Sequence, residues 1–282
     1  MKLAIIGTGL IGGSIALKAK ATGFASHIVG IDTNKAHLDT ALQLNIIDEA
    51  ADLHKGISET DLIILAVPVN SATLLLPKIL EMINSRQTVM DVGSTKSSIT
   101  EAVKTHLNRS RFVAFHPMWG TENSGPEAAT AISFASKAAV ICDREFSASD
   151  ALETAERLAN TLEMNVLHMD SAAHDLHTAY ISHISHITSY ALANTVLEKE
   201  KEEDTIFQLA SSGFSSTVRL AKSHPEMWVP IFQQNRENVL DVLNEHISQL
   251  SKFKTALEKE NYDYLEELIR NANKIRPILV KK

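Results

Sequence analysis

The sequence predicts an α/β fold in two unlike halves: a doubly wound sheet over residues 1–170, then an all-helical region over 171–282. Three observations carry this. Short, continuously apolar runs alternate with helix-length segments as far as about residue 168. A glycine-spaced turn follows the first of those runs, and the β signals stop after Asp170. Strand–helix alternation is the pattern of a sheet covered by helices on both faces.

The strand candidates are KLAII (2–6), HIVGI (27–31), LIILAV (62–67), TVMDV (88–92), FVAFH (112–116), AAVICD (138–143) and NVLHM (165–169). Their unbroken apolar character suits strands buried on both faces, as in parallel sheets. Helix-length segments lie between them, for example 34–44, 70–84 and 96–107. In the second half, 171–200 reads as one long helix and 204–211 and 214–222 as shorter ones. Pro225 suits the first turn of a further long helix reaching the 240s or 250s, and a last helix covers about 261–274. The charged run EKEKEED (198–204) reads as a solvated loop or helix end.

At 282 residues and 44% hydrophobic content the chain is long enough for two domains with real cores. The net charge is −7, with Lys and Arg scattered, which argues against nucleic acid as the main partner. The single cysteine, Cys142, excludes a disulfide within the chain and a Cys-based zinc site. No apolar run approaches the roughly 20 residues of a membrane span, and the glycine-broken N-terminus lacks a signal-peptide pattern. The expectation is a soluble cytoplasmic protein.

IIGTGLIGGS places Gly7, Gly9 and Gly12 in G-x-G-x-x-G spacing directly after a strand and opening a helix. The first glycine permits a tight turn, the second lets backbone approach a pyrophosphate, and the third allows close helix–strand packing. Asp32 ends the next strand twenty residues after Gly12, where a carboxylate accepts from ribose hydroxyls. This is a Rossmann-type dinucleotide site. The backbone of Gly7, Gly9, Leu10, Ile11 and Gly12 is expected to line it. A carboxylate at Asp32 repels a 2′-phosphate and no arginine lies nearby, which favours NAD over NADP. AVPVN (66–70) ends another strand; Val67 and Pro68 either contact the cofactor through backbone or simply terminate the strand.

His116 stands at the exit of the strand FVAFH, and the carboxyl ends of strands are where open α/β sheets bind ligands. Ser94, in DVGSTKSSI, either caps the following helix or offers its hydroxyl on the same sheet edge. In HDLHTAYISHISHITSYALAN, His174 and His177 share a helix face, as do His183 and His186. They are open to three readings: packing, a metal site that lacks a completing carboxylate or cysteine, or contacts to an anion or substrate. SSGFSSTVRLAKSHPEMW adds Arg219, whose guanidinium matches a carboxylate, and Trp228.

Taken together, GTGLIGGS, DVGSTKSSI, FHPMWGTENSG, YISHISHITSYAL and SSGFSSTVRLAKSHPEMW resemble the prephenate/arogenate dehydrogenase family of tyrosine biosynthesis, over essentially the whole chain. The resemblance implies an NAD-binding domain joined to a helical substrate-binding and homodimerising domain, with no metal. It implies NAD-dependent oxidative decarboxylation of prephenate to 4-hydroxyphenylpyruvate, with arogenate as the alternative substrate. By the same resemblance His116 is the catalytic base, Ser94 the serine beside the reacting hydroxyl, and Glu122 the acid of the GTE turn. His183 and His186 line the substrate pocket, Arg219 holds a substrate carboxylate, and Trp228 stands near the site. Trp119 departs from the small residue many members carry, and the serines of GFSSTVR depart from a Lys-Asp pair. No chorismate mutase segment or regulatory domain is expected within the chain.

Two rivals remain in view. A β-hydroxyacid dehydrogenase shares the two-part plan but resembles its relatives in a lysine on the long helix, and no lysine occurs between Lys137 and Lys199. A non-catalytic NAD-sensing protein leaves the His, Ser and Arg constellation unexplained.

Overall fold

The structure is a computed structural model; it describes every residue except Ser133, Asp204, Lys281 and Lys282. In chain order the first half comprises β1 (Lys2–Ile6), α1 (Leu10–Ala21), β2 (His27–Ile31), α2 (Lys35–Gln43), β3 (Glu49–Ala50), α3 (Leu53–Ser58), β4 (Leu62–Leu65), α4 (Val69–Met82), β5 (Thr88–Asp91), α5 (Ser97–Ala102), β6 (Phe112–Pro117), β7 (Ala138–Cys142), α6 (Ser149–Thr161) and β8 (Asn165–Met169). They form one eight-stranded sheet in the order β3-β2-β1-β4-β5-β6-β7-β8. Strand order reverses between β1 and β4, which makes their carboxyl ends the crevice where such sheets bind ligands.

All pairings are parallel except β6 with β7. A parallel return needs a crossover, usually a helix. Among the described residues of 118–137 the regular structure is a 3₁₀ turn, Pro126–Ala128, and the chain comes back antiparallel. An apolar run buried on both faces carries no mark of its direction, and the sequence reading could not anticipate this reversal. One core lies on each face of the sheet. Leu3, Ile5, Ile28, Ile64 and Phe115 pack against α1 and α6 residues on one side; Ala4, Ile63, Leu65, Phe112 and Ala114 pack against Leu76, Ile79 and Leu80 of α4 on the other.

The second half is helical: α7 (Ser171–Thr178), a π turn (Ala179–His183), α8 (Ile184–Glu200), α9 (Ser212–Thr217), α10 (Pro225–Gln234), α11 (Arg236–Glu258), α12 (Tyr262–Ala272) and α13 (Arg276–Val280). The expected single helix over 171–200 is thus one helical path broken by a wide turn, which shifts the phase of everything after it. Of the expected helix at 204–211, Asp204 lies outside the described residues and the rest supplies only a 3₁₀ turn, Ile206–Leu209. The segment 214–222 is the end of α9 followed by a 3₁₀ turn, Arg219–Lys222. The helix from Pro225 ends at Gln234, and Asn235 separates it from α11.

The chain divides into two compact units, Met1–Arg236 and Glu237–Lys282. The first contains the sheet together with α7 to α10. α10 is fastened to it by Val69, Trp228 and Ile231, which cluster, and by hydrogen bonds from Thr95 Oγ1 to Gln234 Oε1 (2.7 Å) and from Gln234 Nε2 to Asn70 Oδ1 (2.8 Å). The second unit leaves Leu240, Ile247, Leu250, Leu257 and Ile269 exposed in this single chain.

Between β5 and α5 the ammonium of Lys96 pairs with Asp91, both fully out of solvent. Removing one member of such a pair strands the other charge. Lys96→Met should therefore destabilise the fold by roughly 3–5 kcal/mol at neutral pH. Burial pushes the Asp91 carboxyl up, so the loss should shrink as the pH falls and Asp91 takes a proton. The double change Asp91→Leu with Lys96→Met should recover most of the stability in urea unfolding. A double variant no more stable than Lys96→Met would contradict the pairing argument.

Candidate active site

Three parallel neighbours, β1, β4 and β5, end in step, and β6 beside them runs three residues further. Their register aligns Ile6 with Leu65, Leu65 with Asp91 and Asp91 with Ala114. Gly7 and Ala66 stand one residue past that line, and Gly93 and His116 two residues past it, along one sheet edge that spans about 14 Å at the usual strand spacing. This edge is the frame of the site.

At its β1 end the three glycines do different things. Gly7 has φ +96°, and a Cβ there would stand 2.4 Å from Ala66 O; a Cβ on Gly12 would stand 2.1 Å from Gly7 O. A Cβ on Gly9 would meet nothing within 4 Å. So the first and third glycines permit packing, while the second faces open space over the start of α1. Gly9 is the N-cap of α1 and supplies no side-chain acceptor, and no acid occupies the first turn. The N–H groups of Leu10, Ile11 and Gly12 are left for an anion, which the helix dipole favours. Asp32 closes the cradle: its Oδ2 accepts from Thr8 N (2.9 Å) and Thr8 Oγ1 (3.1 Å), and its Oδ1 accepts from Asn34 N (2.9 Å). Oδ1 keeps room for one more donor, as a ribose hydroxyl requires. Val67 and Pro68 follow Ala66; Val67 Cγ1 lies 3.0 Å from the place a Cβ on Gly7 would take. These residues fit a dinucleotide.

At the β6 end His116 is buried, 8% exposed, and its Nδ1 lies 2.8 Å from His174 Nε2. His174 Nδ1 lies 2.8 Å from Asp175 Oδ1. Asp175, likewise buried, also accepts from Lys96 N (2.8 Å) and Ser97 N (2.9 Å), the amides of the N-cap residue and of the first residue of α5. Burial, followed by the nearby charges of His174 and Lys96, holds the His116 ring well below the ordinary histidine range. His116 is neutral at neutral pH. Ser94 stands three residues past Asp91 on the same edge and does not cap α5: the N-cap is Lys96, without a side-chain cap. The carboxylate of Asp175 does that work from another helix.

The helical side adds donors. Asn235 Nδ2 donates to Asp175 O (2.7 Å), which can only accept, and this fixes the amide's orientation. The same nitrogen then donates to His183 Nδ1 (3.1 Å), placing the His183 proton on Nε2. That Nε2–H and the Trp228 Nε1–H are both buried without a partner among the described residues. Burial lowers the His183 pKa to about 4, so its ring is neutral. His186 stacks on Trp228 at 3.4 Å between centroids, with Nδ1 held by Ser182 O (3.1 Å). Native proteins rarely leave such donors unmade. Each is a donor that a ligand oxygen could satisfy.

Glu122 and Arg219, expected separately, meet: Arg219 Nη1 donates to Glu122 Oε2 at 2.8 Å, joining the 118–137 loop to the 3₁₀ turn at 219–222. Arg219 keeps its other N–H groups and lies close enough to His186 to oppose its protonation. The 217–221 segment is pinned to α8 by Ser189, whose Oγ donates to Thr217 O (3.0 Å) and accepts from Ala221 N (3.1 Å). Trp119 packs edge-to-face on Phe134, 4.8 Å between centroids, within the core on the α1 side. Among the described residues no group of three His, Cys, Asp or Glu is placed to hold a metal ion.

Sequence reasoning missed Thr8, Asp91, Lys96, Asp175 and Asn235, and noted His174 only for its spacing from His177. His177 is in fact exposed while His174 is 1% exposed. An available signal was the adjacent His-Asp pair at 174–175, since a neighbouring carboxylate commonly orients a histidine ring.

Known proteins resemble this chain along its whole length. The family model for the prephenate dehydrogenase nucleotide-binding domain matches residues 15–168, and that for the prephenate dehydrogenase dimerization domain matches 170–271. A prephenate dehydrogenase of Bacillus subtilis is 31% identical over 275 residues, which cover 96% of this chain and 74% of that protein. The crystal structure of prephenate dehydrogenase from A. aeolicus with hydroxyphenyl propionate and NAD+ superposes with a TM-score of 0.88 at 27% identity, covering 100% of this chain and 98% of that one. Synechocystis arogenate dehydrogenase is similar too, with a TM-score of 0.78 at 26% identity and coverage of 99% and 100%. This chain belongs to the prephenate dehydrogenase family.

Proposed function

We propose that this protein is an NAD-dependent prephenate dehydrogenase, converting prephenate to 4-hydroxyphenylpyruvate, with residues 1–170 as the nucleotide-binding half and 171–282 as the substrate-binding and dimerisation half. The observation that carries the reading is a buried His116, with burial opposing its protonation, on the same sheet edge as an open dinucleotide cradle. Gly7, Gly9, Leu10, Ile11, Gly12, Asp32, Val67 and Pro68 would hold NAD, which when bound would supply the hydride acceptor. His116 takes the proton of the ring hydroxyl as hydride leaves the same carbon. The ring carboxylate opposite departs as CO2, its bonding pair entering the ring, which becomes aromatic. Ser94 sits beside the reacting hydroxyl. His183 Nε2–H and Trp228 Nε1–H donate to substrate oxygens, His186 packs beside them, and Arg219 faces a carboxylate. The protein's share is mostly positioning.

The apolar residues exposed on α11 and α12 support a homodimer, as does the match to a dimerization domain. Sedimentation as a monomer at micromolar concentration would exclude it. The buried, free Cys142 is in keeping with a cytoplasmic enzyme.

Following NADH absorbance with each substrate tests the reading. Glu122, the acid that the loop offers to the site, is held by Arg219, so an ammonium on the substrate side chain finds that carboxylate already paired. Prephenate should exceed arogenate in kcat/KM by at least about tenfold, roughly 1.4 kcal/mol. Arg219→Ala should raise KM for prephenate far more than it lowers kcat. Equal use of arogenate would show that another carboxylate reaches the amine. With prephenate saturating, NAD should outperform NADP, and Asp32→Ala should narrow the gap; equal use of NADP would overturn the role of Asp32.

His116 must be neutral to act. Its pKa is lowered, so kcat should stay flat through neutral pH and fall only on acidification well below 6.5, where the ring takes a proton. His116→Asn should lose roughly 10²–10⁴-fold in kcat with little change in KM. A variant with near-normal kcat would remove His116 from the chemistry.

A further inference from the structure

The contacts behind His116 fix where its proton lies. Asp175 receives three donors, Lys96 N, Ser97 N and His174 Nδ1, all within 2.9 Å. Burial opposes its ionisation, but the hydrogen bonds from His174 and Ser97 outweigh that and hold the carboxyl below its ordinary range. An ionised carboxylate only accepts, so His174 carries its proton on Nδ1. Burial also lowers the His174 pKa, which keeps that ring neutral. Its Nε2 is then bare, and the 2.8 Å contact to His116 Nδ1 requires that His116 donate. The second nitrogen of a neutral His116, Nε2, is left with a lone pair.

We propose that His174 and Asp175 are positioning residues that hold His116 in the Nδ1–H tautomer, so that Nε2 is the base, and that steady the ring once it has taken the substrate's proton. The proposal rests on the reading of His116 as the base and adds the device that makes it one. A histidine orients another histidine here, and a carboxylate two rings away sets the direction of the chain. The tautomer with the proton on Nε2 would present a donor to the reacting hydroxyl and accept nothing. The other ionisable groups near this ring are the Lys96 ammonium, paired with Asp91, and His183 from the π turn; on β7 the residue opposite His116 is Val140. Among these groups Lys96 and His183 oppose a charge on His116. Asp175 is the acid connected to it by hydrogen bonds.

The test is a double-variant cycle in the full-length enzyme. His174→Phe keeps an aromatic ring in the buried slot and removes the acceptor. It should lower kcat by between about 10- and 10³-fold, on the scale of groups that orient a catalytic histidine, with KM for prephenate and NAD changed less than about threefold. In the His116→Asn background the same change should be silent, because a group that acts through His116 has nothing left to orient. His174→Gln, the milder change should the phenylalanine disturb folding, should recover part of kcat through its side-chain carbonyl. Asp175→Asn, checked for folding by its Tm, should move the acid limb of kcat to lower pH, since the charge that steadies protonated His116 is gone. Equal losses from His174→Phe in both backgrounds, or no loss in either, would overturn the proposal. A harmless His116→Asn would instead overturn the base assignment, and the proposal with it.

Discussion

The carboxylate of Asp175 is the group on which most of the site depends. It caps α5 from a different helix, accepting both Lys96 N and Ser97 N, and it holds His174. Its own backbone carbonyl receives Asn235, which in turn sets the proton of His183. One buried residue on α7 thereby ties β5–α5, β6 and the end of α10 into a single arrangement. A charge removed from water is tolerated only when its lone pairs are filled, and here the donors that fill them are the groups that must be placed. The demand of the charge for partners and the demand of the chemistry for geometry are met by the same hydrogen bonds.

Much of the frame was legible in the sequence because it depends on local spacing. A glycine that must adopt φ +96° and another that must let a helix touch a strand sit at a fixed interval after β1, and an acid ends β2. His116 was legible for a similar reason: a polar residue closing an apolar strand has few other uses. What was not legible is what depends on distant pairing. The Lys96–Asp175 contact joins residues 79 apart in sequence, and nothing near Lys96 distinguishes a buried lysine from a solvated one. The reversal at β7 was hidden because the evidence for direction lies in the missing crossover helix and not in the strand. The π turn was hidden because an apolar pattern with histidines on several faces absorbs one wide turn without visible change.

The electrostatic balance follows from burial. His116, His174, His183 and His186 are all held below the ordinary histidine range with burial as the first cause. A row of neutral imidazoles offers hydrogen-bond donors and acceptors in fixed order without adding charge, and each ring's proton is assigned by its neighbour: Asp175 for His174, Asn235 for His183, Ser182 O for His186. The unmade donors on His183 and Trp228 carry a desolvation penalty on the order of 1–3 kcal/mol each. A ligand oxygen reaching either donor would relieve its penalty, which couples binding to orientation.

The central claim is that His116 waits as a neutral base with its free nitrogen toward the substrate. Nitrogen-15 NMR of the histidine-labelled enzyme, with the His116 signals assigned by loss in His116→Asn, reads this directly. At neutral pH the expected result is a protonated Nδ1 and an Nε2 shift typical of a bare imidazole nitrogen. A proton on Nε2, or a doubly protonated ring at that pH, would contradict it.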